Sequence, residues 1–238
     1  MSPAPSPSTT AASNKTALMN SPLGKALSVF SALLLLAAIA ASVMRLSLNG
    51  WGAMVWLASF TVMVLIRAPH AQRNRANEIT GGRTDWVERL LLLAMFATMM
   101  ALPLLQLATG VLGFADYALP AWATWLGALL QLPYLWLFWR SHTDLGRNWS
   151  PGLELRRTHE LVTHGVYQRV RHPMYAAIWL AALTQPLLIH NAIAGLLVIP
   201  AFAAMWFIRV PHEEAMMRAE FGDSYDLYCE RAGRLMPR

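Results

Sequence analysis

Six long apolar runs constrain this chain more than any other feature of its sequence. They are Ala26–Met44, Trp51–Ile66, Leu90–Leu112, Ala121–Trp139, Met174–Ile189 and Ala192–Ile208. A helix needs about 20 mostly apolar residues to cross a bilayer, and the second, fifth and sixth runs are short by that measure. A soluble bundle could not easily hide six such runs with almost no charge inside them. The composition agrees: 56% of the 238 residues are hydrophobic and 13% charged, against roughly 45–50% and about 25% in soluble domains. The fold class predicted is therefore all-α, a polytopic transmembrane helical bundle of about six spans. Pro103, Pro133, Pro186 and Pro200 fall inside the runs, where neighbouring helices can re-satisfy the freed backbone groups. Only His190 and Asn191 separate the last two runs, which predicts a tight C-terminal helical hairpin over residues 174–208.

The net charge is +6, and its placement decides what it means. Arg67, Arg73, Arg75, Arg83 and Arg89 lie between the second and third runs. Arg140, Arg147, Arg156, Arg157, Arg169 and Arg171 lie between the fourth and fifth, and Arg209 to Arg238 follow the sixth. Lys15 and Lys25 precede the first run, and only Arg45 falls on the opposite side. An even number of spans puts both termini and both basic loops on one face, which the positive-inside rule makes cytoplasmic. The expected location is an integral, multi-pass membrane protein with both termini in the cytoplasm, in the inner membrane if the source is bacterial. The basic charge then needs no nucleic-acid partner, and no aromatic-basic RNA platform is visible.

Three regions follow. Residues 1–25, rich in Ser, Thr, Ala and Pro, cannot bury enough apolar surface to offset ordering and are expected to be mobile. Residues 26–140 hold four transmembrane helices. Residues 141–238 hold the polar motifs, with the hairpin returning the chain to the same face. A polar pocket is thus expected at the cytoplasmic mouth of the hairpin, between Ser141–Pro173 and Arg209–Arg238. The lone Cys229 excludes an internal disulfide. His70, His142, His190 and His212 lack a paired ligand spacing, so no metal is assigned. Trp122, Trp125, Trp136 and Trp139 read as interface anchors or packing residues.

The motifs are His159-Glu160-Leu161-Val162, Gly165-x-Tyr167 and Arg171-His172-Pro173-x-Tyr175. After the hairpin come Arg209, the pair Glu213-Glu214 and Phe221-Gly222-x-x-Tyr225-x-x-Tyr228. In this order, with a hairpin between, they resemble the isoprenylcysteine carboxyl methyltransferase family, which includes phospholipid methyltransferase relatives. The resemblance runs from Leu145 to the end of the sequence.

It implies S-adenosyl-L-methionine as cofactor. Its contacts, carried over by position, are His159, Glu160, Leu161, Val162, Tyr167, His172, Pro173, Met174, Tyr175 and Glu213. Arg209 is expected to face the methyl acceptor, with Arg171 and Glu214 as further catalytic candidates. The chemistry suits these residue types. A carboxylate pairs with the donor's ammonium, and tyrosine faces favour adenine or a cation. Pro173 suits the first turn of a helix, whose exposed amides bind a carboxylate. Arg209 and Glu213 are four apart and share a helix face, so a surface ion pair of small value is the alternative, but at a membrane mouth the functional reading is favoured. The expected partners are the lipid bilayer and a lipophilic or small acceptor, with carboxylate O-methylation favoured. Two alternatives compete. One is a nicotinamide-dependent membrane sterol or steroid reductase, which shares a similar Arg-His-x-x-Tyr ending. The other is a non-catalytic membrane scaffold.

Overall fold

The structure, a computed structural model, describes residues 21–74, 79–83, 86–146, 153–156 and 161–238. The candidate residues His159 and Glu160 lie outside the described residues, as do positions 1–20 of the N-terminal segment. The helices are α1 (Pro22–Met44), α2 (Leu46–Asn74), α3 (Trp86–Phe96), α4 (Leu102–Thr109), α5 (Ala121–Leu145), α6 (Pro173–Leu188), α7 (Val198–Phe221) and α8 (Asp223–Arg231). α1 begins at Pro22, inside the segment read from the sequence as N-terminal tail.

The fold is helical, with one departure from the all-α expectation. Strands β1 (Ile79–Arg83) and β2 (Leu153–Arg156) pair antiparallel, with a register irregularity between Ile79 and Gly81. Both belong to polar segments between apolar runs. Such segments carry backbone donors and acceptors that need partners, and pairing with each other supplies them.

Among the described residues, three helical stretches are long and apolar enough to cross a membrane: Leu46–Ala71, Trp86–Thr109 and Ala192–Phe221. Ala32–Met44 and Pro173–Leu188 are apolar but shorter. α5 has the length, but its tryptophans, Gln131, Pro133 and Tyr134 dilute the apolar run. Large apolar side chains such as Leu33, Phe207, Trp122 and Trp125 face outward, as a lipid-facing surface requires.

The third apolar run is not one regular helix. A π-helical turn, Ala97–Ala101, separates α3 from α4, just before Pro103, which has no N–H to give the preceding turn. Gln185 on α6 compensates. Its Nε2 donates to the carbonyl of Thr98 at 2.8 Å and to that of Ala194 at 2.8 Å. A second short link, Ile189–Asn191, leads into the π-helical Ala192–Leu196 and then α7. Asn191 caps this turn by accepting from the amides of Ile193 and Ala194.

α6 and α7 run back along each other: Trp179 packs on Phe202, while Tyr175, a turn earlier, packs on Trp206. α6 also packs along α5, and α2 packs against both. At Gly52 on α2 a Cβ would lie 2.7 Å from the Leu188 carbonyl and 2.8 Å from the Thr124 methyl. Only glycine permits that approach, the small-residue contact typical of membrane helices. The main core lies among α2, α4, α5 and α6, with Trp56, Phe60, Leu104, Tyr134 and Phe138 buried in it. α6 is thereby held from three sides, and its N-terminus becomes a fixed point on which a site can be built.

Candidate active site

His172 is the N-cap of α6 and Pro173 its first residue. Proline is suited to that position because its missing N–H would have no helical partner there. The next amides, those of Met174 and Tyr175, have no partner within the helix by construction, and no side chain caps them. They form a small electropositive end suited to an anion.

The C-terminal segment holds this end in place. The amide of Arg171 donates to the Gly233 carbonyl at 2.7 Å, and that of His172 to the Arg234 carbonyl at 3.0 Å. The Arg171 guanidinium donates to the carbonyls of Ala232, at 2.5 Å, and Cys229, at 3.1 Å. Beside these segments sits Glu214, only 2% exposed. Its Oε1 accepts from Arg171 at 3.3 Å and from Arg234 Nε at 3.0 Å, and lies 3.2 Å from His172 Nε2. Its Oε2 accepts from Arg234 Nη2 at 2.6 Å. The sequence offered Arg171 and Glu214 as catalytic candidates. The geometry places both beside the start of α6, tied to fixed partners of the C-terminal segment.

The 3₁₀ turn Gly165–Gln168 forms the flank. Gly165 has φ 60°, and a Cβ added there would collide with the Asp144 carboxylate. Asp144 accepts from the Val166 amide at 2.9 Å and pairs with Arg140. Tyr167 is buried, and its carbonyl accepts from Tyr228 at 2.5 Å. Burial pushes the Tyr228 phenol up to about 12, so it remains a donor at any physiological pH. Leu161 packs against Tyr225 and Tyr228, and Val162 is half-buried.

Glu213, the neighbour of Glu214, points the other way. It accepts from the Tyr175 hydroxyl at 2.8 Å and is half-buried. The Tyr175 ring is stacked near Phe202 and edge-on to Trp206 and His172. Met174 stands beside it, half-buried. Arg209 is 8% exposed and its Nη1 lies 3.4 Å from Glu88 Oε1 on α3. The surface Arg209–Glu213 pair considered from the sequence is thus replaced by a buried pair to another helix. The Tyr175 hydroxyl lies within electrostatic reach of Glu213, Arg209 and Glu88 together.

Two residues escaped the sequence reading. Glu88 looked like one charge at the head of an apolar run, and Arg234 like one of several tail arginines. Each is significant only through its partner far along the chain. His70 and His142 also come together, with rings 5.1 Å apart. Among the described residues, however, no group of three or more metal-binding side chains forms.

A bundle with an apolar exterior and a buried arginine–carboxylate–tyrosine cluster at one helix start defines a helical membrane protein with an interior polar site. Residues 126–219 match the model of the isoprenylcysteine carboxyl methyltransferase family. It is 30% identical over 94 residues to protein-S-isoprenylcysteine O-methyltransferase B of Arabidopsis thaliana, covering 39% of this chain and 48% of that protein. It is 35% identical over 81 residues to the Schizosaccharomyces pombe protein-S-isoprenylcysteine O-methyltransferase, 34% of either chain. Protein-S-isoprenylcysteine O-methyltransferase A of A. thaliana is 28% identical over 165 residues, 67% of this chain and 82% of that one. The chain thus spans about half or less of the length of the first two relatives. These matches are to methyltransferases rather than to the reductases weighed from the sequence.

Proposed function

We propose that this protein is an S-adenosyl-L-methionine-dependent membrane methyltransferase that esterifies the carboxylate of a lipophilic acceptor, an isoprenylcysteine-type acid. One observation carries the reading: Tyr175, in the first turn of α6, donates its hydroxyl to Glu213 and has Arg209 within electrostatic reach, beside the uncapped α6 amides. These groups fit the donor. The amides of Met174 and Tyr175 suit its carboxylate, Glu213 its ammonium, and the faces of Tyr175 and His172 its adenine or sulfonium. When bound, the donor supplies an electrophilic methyl group: an acceptor oxygen bonds to the methyl carbon, the carbon–sulfur pair returns to sulfur, and no proton moves.

The chain's own residues then do the positioning on which an in-line displacement depends. Arg209 orients the acceptor carboxylate. Trp206, Phe202 and Trp179 exclude water beside it. Glu214, Arg171 and Arg234 keep the His172–Pro173 turn in register. Residues 141–238 act as the catalytic region, with the preceding helices shaping the acceptor's entrance from the bilayer.

The direct test is ligand-induced stabilisation in detergent. S-adenosylmethionine and S-adenosylhomocysteine should raise the Tm and NADPH should not. His172→Ala and Tyr175→Ala should remain folded and bind the donor at least tenfold more weakly, a loss of about 1.4 kcal/mol or more. Stabilisation by NADPH alone would favour the reductase. Stabilisation by none of the three would favour the scaffold.

The same reading extends to topology. Six helical segments cross, the pocket is cytoplasmic, and both termini share its side. The support is the sidedness of the arginines. In a Cys229→Ser background, single cysteines at Ala118 and Glu230 should label from opposite faces of the membrane. Labelling of both from one face would remove the six-span arrangement.

A further inference from the structure

The charges around the Tyr175 hydroxyl form a set to which the motif region alone does not lead. Arg209 and Glu213 come from α7, Glu88 from the first turn of α3. Glu88 is 5% exposed and faces Arg209 at 3.4 Å. Arg67 on α2 lies within electrostatic reach of Arg209, and their like charges oppose each other. Arg209 and two carboxylates therefore surround the hydroxyl, and the more exposed Arg67 adds a second positive charge within reach of Arg209. If Glu213 is taken up by the donor's ammonium, the rest (Arg209, Arg67 and Glu88) carries one net positive charge. That matches one anionic group.

Resting on the methyltransferase reading above, we propose that Glu88 is the specificity-determining counter-ion of the acceptor site. It acts through Arg209. It holds the guanidinium from the side of α3 and cancels one of the two positive charges, so that an acceptor carboxylate is oriented without being bound too tightly to react. A carboxylate drawn against two uncompensated guanidiniums is a poorer nucleophile, because its electron pair is stabilised in the ground state as much as anything gained at the transition state. The first helices thus contribute to catalysis by setting the charge that the acceptor meets.

The consequence is a split that a purely structural residue would not produce. In the full-length protein, with saturating S-adenosylmethionine and an S-prenylated N-acetylcysteine as probe, Glu88→Gln should lower the KM for the acid about tenfold, as expected for a close buried charge pair. It should lower kcat in the same assay, with the affinity for S-adenosylhomocysteine unchanged by calorimetry. Glu88→Asp, which keeps the charge, should return the KM close to wild type. Arg67→Met should shift the KM in the opposite direction, upward by about threefold, the smaller figure reflecting solvent screening at its more exposed position. This variant carries the test should Glu88→Gln not fold. A KM that is unchanged or raised in folded Glu88→Gln, or unchanged in Arg67→Met, overturns the proposal. A wild-type protein that binds the donor analogue but methylates no acid probe overturns the carboxylate reading on which it rests, and is recognised before any variant is compared.

Discussion

Glu214→Gln should be the most damaging single substitution in the molecule, in stability first and in donor binding as a result. The change is nearly isosteric, so packing is kept and only the charge is lost. Glu214 takes hydrogen bonds from Arg171 and Arg234 and contacts His172, while being 2% exposed. A glutamine would present an amide donor to guanidiniums that can only donate. Removing one partner of a buried ion pair costs about 3–5 kcal/mol, because the remaining charge is left uncompensated. Arg171, with a side chain 12% exposed, bears most of that cost. Arg234 is 54% exposed, so water replaces much of what it loses. For a chain of this size the corresponding drop in Tm is on the order of 10 °C.

The binding consequence follows from geometry. Arg171 and His172 immediately precede the α6 start, and their amides are tied to Gly233 and Arg234. Without the carboxylate underneath, that turn loosens and the amides of Met174 and Tyr175 lose their fixed direction. S-adenosylhomocysteine should then stabilise the variant far less than the wild type. Arg234→Lys, which keeps one contact and the charge, should fall between the two. Thermal unfolding in detergent with and without S-adenosylhomocysteine measures both effects. An unchanged Tm and an unchanged ligand shift in Glu214→Gln would remove Glu214 from the foundations of the pocket.

The membrane character and the motif-bearing end of the chain were legible in the sequence because each is written locally. An apolar run is visible as a run, and Arg171-His172-Pro173-x-Tyr175 places a proline at a helix start wherever it occurs. The irregularities were only half visible. Pro103 announced a disturbance in the third run, but the π turn depends on Gln185, from another helix, supplying a donor to Thr98. The β1–β2 ribbon was not legible. ITGGR and LELR are too short and too weakly alternating to declare themselves strands, and they exist as a pair or not at all. The division between Glu213 and Glu214 was invisible for a different reason. Adjacent helix residues point about 100° apart, so one carboxylate faces Tyr175 and the other the tail. Which does which is settled by what packs on each side. Glu88 shows the limit most clearly, since nothing near it in sequence indicates that Arg209 is its partner.

Arg209→Lys should leave donor affinity intact and lose turnover by about 10²–10³-fold, the range seen when one oriented donor to a developing or reacting oxygen is removed. The fold should survive, because an ammonium still offsets Glu88 across the α3–α7 contact. What lysine cannot do is serve two carboxylates in fixed directions. The guanidinium turns Nη1 toward Glu88 and has further N–H groups in the same plane to orient an acceptor, whereas the ammonium is a point charge. The loss should not be recovered by raising pH. An acceptor carboxylate, with an ordinary pKa of about 3.3–3.7 for an α-carboxyl, is already ionised, so no base is needed and wild-type kcat should be flat between about pH 6 and 8. An amine or thiol acceptor would behave differently, with rate rising through its own pKa as the proton leaves. Glu213→Gln is the counterpart: it should weaken S-adenosylhomocysteine binding, since the ammonium and the Tyr175 hydroxyl both lose their acceptor charge. Donor calorimetry and methyl transfer across pH, on both variants, separate the roles. Equal loss of donor binding in the two would mean that Arg209 and Glu213 act as a single structural unit, and the assignment of one to the acceptor and the other to the donor would fall.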